Sequence, residues 1–71
     1  MQLIESRDGV IVLIDADGHR HAIRTGSVLG LHETDEGTIL TLHGGRVLPI
    51  SEEFDAMLQA IGWRRRSDHA R

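Results

Sequence analysis

Turn signals fall along this chain at nearly constant intervals, and that spacing limits the possible folds more than any other feature. They are "RDG" at 7–9, "ADG" at 16–18, "TGS" at 25–27, "DEG" at 35–37 and "GG" at 44 and 45, some 8 to 10 residues apart. Glycine and aspartate supply the backbone angles that tight turns need, and such regular punctuation belongs to a meander of short antiparallel strands. Between the turns lie "QLIES", "VIVLID", "HRHAIR", "VLGLHET", "TILTLH" and "RVLPI", rich in Val, Ile, Leu and Thr. They predict six strands. Pro49 lacks an amide donor, so the last strand belongs at an edge or turns that position toward solvent.

The period then changes. Phe54, Met57, Leu58 and Ile61 stand at i, i+3, i+4 and i+7, the apolar stripe of an amphipathic helix. Ser51 is the expected N-cap, Glu52, Glu53 and Asp55 suit the positive end of the helix dipole, and Gly62 suits the residue just past the last turn. The predicted class is α+β: an antiparallel meander of about six short strands followed by one C-terminal amphipathic helix, residues 52–61, packed on the sheet. Residues 1–63 read as a single domain and residues 64–71 as a basic, disordered tail.

Strand alternation sorts the apolar side chains into two faces. Val10, Val12, Ile14, Leu29, Leu31, Leu40, Leu42, Leu48 and Ile50 form the face expected beneath the helix. Ile11, Leu13, Val28, Ile39 and Val47 form the other, beside Thr41, His32 and His43. Five large apolar side chains represent on the order of 10 kcal/mol if fully buried, as much as the whole stability of a small domain. A chain of 71 residues without cysteine has no disulfide or thiolate metal site to supplement its core. The run "VIVLI", Val10 to Ile14, therefore reads as a central strand covered on both sides. Either the sheet curls into a small barrel or a second subunit covers the outer face. The second option makes the chain a homo-oligomer with Ile11, Leu13, Val28, Ile39 and Val47 at the interface.

Charge is unevenly placed. Residues 1–63 hold four arginines against ten acids, net −6, whereas residues 64–71 hold four arginines against one aspartate, net +3. The body repels polyanions and the tail attracts them. Trp63, Arg64, Arg65 and Arg66 are the expected partner contacts, with a protein as the expected partner. A small nucleic-acid or nucleotide-binding regulator working through the same arginines is the alternative, although the chain offers few rings for base stacking. The opening "MQLIESRDG" is neither a signal peptide nor a membrane span, so no membrane contact and a cytoplasmic location are expected.

Motifs for chemistry are weak. "DADGH" fails as a calcium loop, because His19, Arg20 and Gly26 stand where ligands and the turn glycine are needed; Asp17 and Gly18 read as a turn. His19 and His21 share one side of a strand and, with His32 or His43, offer imidazoles to a metal, but no known ligand spacing is met. Ser27, His32 or His43, and Asp35 lack the sharp strand-to-helix turn of a hydrolase nucleophile. "LHGGRV" lacks the helix start that makes glycine amides an anion cradle. The expectation is a non-enzymatic protein with no metal and no cofactor.

From about Asp17 to Gly62 the chain resembles the small FlbD-like proteins encoded with bacterial flagellar and swarming-motility genes. The likeness rests on the "DG" turn at Asp17 and Gly18, "TILTL" at Thr38–Leu42, "GGRVLPI" at Gly44–Ile50 and "SEEFDAML" at Ser51–Leu58. Thr25, Gly26 and Ser27 stand where that family usually has an asparagine–proline pair. The resemblance implies a small bacterial accessory protein without catalytic residues. Together these readings predict a self-associating binding or adaptor protein that contacts another macromolecule.

Overall fold

The chain is seen here in a computed structural model, which describes residues 1–63. The strands are β1 (Gln2–Arg7), β2 (Val10–Ile14), β3 (Arg20–Arg24), β4 (Val28–Thr34), β5 (Gly37–Leu42) and β6 (Val47–Ile50), and the helix is α1 (Phe54–Ile61). Single 3-10 turns at Thr25–Ser27 and His43–Gly45 precede β4 and β6. The fold is α+β and mostly strand.

The strands do not make one sheet. They form two antiparallel sheets of three, ordered β1-β2-β3 and β4-β5-β6. The break lies at "TGS", where a 3-10 turn carries the chain away from β3 instead of folding it back as a hairpin. The Thr25 amide and hydroxyl both donate to Gly9 O, at 2.8 and 3.2 Å, which pins this corner to the β1–β2 turn. At the opposite junction the Ser51 amide donates to Met1 O at 2.6 Å and the Met1 ammonium to Pro49 O at 3.1 Å. Both sheets share one core, built from Ile11, Leu13, Val28, Leu40, Leu42 and Ile50 with Met57 and Ile61 of α1.

Helix α1 begins at Phe54, two residues later than the sequence suggests, and Ser51 is not its cap. Glu53 takes the N-cap position in extended conformation without a side-chain bond. The preceding residues are used as tethers: Leu3 N donates to Glu52 Oε2 at 3.3 Å, and buried Thr38 donates through Oγ1 to Glu52 O at 2.8 Å. Gly62 ends the helix in the left-handed region at φ 93°, and the Gly62 and Trp63 amides cap the carbonyls of Leu58 and Gln59. Met57 and Ile61 are buried, and Phe54 and Leu58 are half-buried.

Alternation identifies two faces in every strand, but in β2 the inner face is the opposite of the one expected. Ile11 and Leu13, at 0% exposure, point into the core, while Val10, Val12 and Ile14 are only half-buried. Two irregularities reset the phase of neighbouring strands: a bulge at Ile4 in β1 and another at Leu29 in β4. The second turns Val28 inward and leaves Leu29 58% exposed. The "VIVLI" run is thus the central strand of the first sheet. Its outer side lies between Arg7 and Arg24 at Val10, Glu5 and Ala22 at Val12, and Gln2 and Arg20 at Ile14, whose stems give partial cover within the monomer.

Candidate functional site

The interface set expected from the sequence divides. Ile11, Leu13 and Val28 belong to the core and are withdrawn from any contact between subunits, since side chains 0%, 0% and 5% exposed have almost nothing to offer a second copy. Ile39 and Val47 do lie on an outer face, that of β4-β5-β6. In register, Ile39 stands between His32 and Pro49, and Thr41 between Gly30 and Val47. Val47 is 57% exposed, and Leu29 protrudes at the bulge beside this face. These rows are aliphatic or small, with His32 their one ionisable side chain.

Two grooves flank β5 at its ends, about 17 Å apart for a six-residue strand. At the Gly37 end a cleft of about 490 Å³ lies between the β4–β5 turn and the start of α1. Glu33, Asp35, Glu36, Glu52, Glu53 and Asp55 line it together with Phe54, and no basic residue does. At the Leu42 end a groove of about 510 Å³ is lined by Val10, Ala22, Arg24, Ser27, His43 and Arg46, with the core residues Ile23 and Leu42 behind them. Among the described residues neither Arg24 nor Arg46 makes a salt bridge, whereas Arg7 is held by Glu5 at 3.2 Å. The imagined hydrolytic set is separated: Ser27 and His43 line the basic groove, Asp35 the acidic cleft, and His32 sits in β4.

The β2–β3 loop holds a compact polar cluster. Asp15 Oδ1 accepts from the amides of Asp17 and His19, each at 2.9 Å, and Oδ2 accepts from His21 Nε2 at 2.9 Å. The His21 bond, then the His19 amide, lower the Asp15 carboxyl to about 2. Ligand atoms of Asp15, Asp17 and His19 lie within 4.8 Å of one another, so these three, and not a His19–His21 pair, are the groups that a cation would meet. His21 is occupied by Asp15, and His32 and His43 belong to the second sheet. Turn closure accounts for the cluster.

Trp63, at the end of α1, is 38% exposed and bonds through its amide to Leu58 O at 2.9 Å. Arg64, Arg65 and Arg66 lie outside the described residues. Among the described residues no helix is long and apolar enough to cross a membrane. The basic groove was not foreseen. Arg24 and Arg46 are 22 positions apart in sequence, and each reads alone as a solvated charge at a strand end.

No protein-family model matches this chain, and neither the curated proteins nor the solved structures searched contain a match.

Proposed function

We propose that this chain is a small non-enzymatic binding module that pairs with a second copy through the outer face of β4-β5-β6 and contacts another macromolecule as an adaptor. One observation carries the reading: Val47 and Leu29 are 57% and 58% exposed on or beside an outer face that also holds Ile39 and Pro49. Each such side chain gives roughly 1.5 to 3 kcal/mol when fully buried, and a second copy brings the same set. Two bodies of net −6 over residues 1–63 repel, and the rows Ile39–Pro49 and Thr41–Val47 place no further acid against acid where they meet. A self-complementary patch closes as a two-fold pair. The FlbD-like resemblance, with its implication of an accessory protein, agrees with this reading.

Light scattering coupled to size exclusion tests it. The wild-type chain is expected at twice the monomer mass, and Leu29→Asp with Val47→Asp at the monomer mass with an unchanged circular dichroism spectrum. A monomeric wild type, or a folded variant of unchanged mass, would overturn the assignment.

A further inference from the structure

The groove at the Leu42 end of β5 has the chemistry of a recognition site for an anion attached to an aliphatic body. Arg24 closes β3 and Arg46 precedes β6, so two segments remote in sequence place guanidinium groups on one concavity. Neither has a carboxylate partner among the described residues, although ten acids lie in residues 1–63. The acidic cleft cannot neutralise them, being at the far end of a strand about 17 Å long. Guanidinium groups bind carboxylates through paired N–H donors, and Ser27 and His43 add further hydrogen-bonding groups on the same wall.

The floor decides which anion. Val10 and Ala22 stand on the same outer face of β2-β3 as Arg24, with Ile23 and Leu42 in the core behind them, and no aromatic ring lines the groove, so unpaired bases have nothing to stack on. The chain's own acidic turn, Asp35 and Glu36, brings no aliphatic side chain for that floor. We propose that this groove binds an acidic segment of a partner protein, in which carboxylates alternate with aliphatic side chains: carboxylates on Arg24 and Arg46, aliphatics on Val10 and Ala22. This rests on the reading of the chain as an adaptor and names the chemistry of what it captures.

The test is a titration of the full chain, labelled with nitrogen-15, with a short peptide alternating glutamate and leucine, at low and high salt. The glutamine-for-glutamate peptide and a single-stranded oligodeoxynucleotide serve as comparison probes. Amide shifts are expected over Ala22–Ser27 and Leu42–Arg46, with affinity at least tenfold lower for the glutamine peptide, at high salt, and for the double variant Arg24→Gln, Arg46→Gln. Both arginines are exposed, so the variant is expected to keep its fold. Absence of shifts in these segments, equal binding of the glutamine peptide, or tighter binding of the oligonucleotide would each overturn the proposal. Loss of oligomer mass in the arginine variant without peptide would assign the groove to a second copy instead. Light scattering on the same samples separates the two readings: a dimer that dissociates on changing Leu29 and Val47 but ignores the peptide rejects the groove alone.

Discussion

His21 Nε2 donates to Asp15 Oδ2 at 2.9 Å across the base of the β2–β3 loop, while the other oxygen of the same carboxylate holds two amides of that loop. The ionised form of Asp15 is therefore part of the hairpin. A carboxyl whose pKa is lowered on folding adds stability above its unfolded value, and that contribution is lost as pH falls through the folded value. With Asp15 lowered to about 2, the loss runs from about pH 4 down to about pH 2. Urea midpoints measured at points across this window are expected to fall more steeply for wild type than for Asp15→Asn. Parallel curves would show that the carboxylate contributes nothing to the fold.

Gly37 opens β5 at φ 141°, and a Cβ there would overlap Ile50 O and crowd the backbone of Glu52. Gly37→Ala has to push β6 away from β5 and is expected to cost about 2 kcal/mol or more. Gly26→Ala, with open space around its position, serves as the control and should change stability by less than about 0.5 kcal/mol. Chemical denaturation of the two variants checks the contrast.

Leu13→Ala removes a fully buried side chain and is expected to lose about 2 to 5 kcal/mol. Ile4→Ala, at a bulge where the side chain is 52% exposed, should lose less than about 1 kcal/mol. Similar losses at both sites would contradict the inward direction of Ile11 and Leu13 in β2.

Thr38 is 1% exposed, and its hydroxyl donates to Glu52 O at 2.8 Å. Thr38→Val keeps the shape and removes the donor, leaving the Glu52 carbonyl without that partner at an expected cost of about 1 to 3 kcal/mol. Because Glu52 also receives the Leu3 amide, the substitution should shift the amide resonances of both residues. A shift confined to position 38 would mean that the segment before α1 is held by other contacts.

Local signals carried much of this architecture into the sequence. The turns at Asp8–Gly9 and Asp35–Glu36, the helix stripe and the stop at Gly62 each depend on residues within a few positions of one another, and each stands where its signal lies. Pro49 does lie in a strand with a neighbour on one side within its sheet. The inner face of β2 was not legible, because a run apolar at every position gives no direction and only the packing of distant strands chooses one. Single-residue bulges at Ile4 in β1 and at Leu29 in β4 shifted the phase of those two strands; no glycine flanks the first, and Gly30 beside the second read as an ordinary strand position. Nor did "TGS" reveal that it divides two sheets, since a hairpin turn and a 3-10 corner draw on the same residue types. Arg24 and Arg46 become neighbours only through that corner and the turn before β6.

The bonds joining Met1 to Pro49 and Ser51 connect the first strand to the last across about fifty positions, while every strand pair within either sheet is a hairpin or a close neighbour in sequence. Closing so long a loop costs entropy that short hairpins do not meet. The two halves of the molecule thus have inexpensive local routes to order, but the seam between them waits until both exist. Protection of the Ser51 amide against deuterium reports that seam, and hence the moment at which two separate ribbons become one cooperative body.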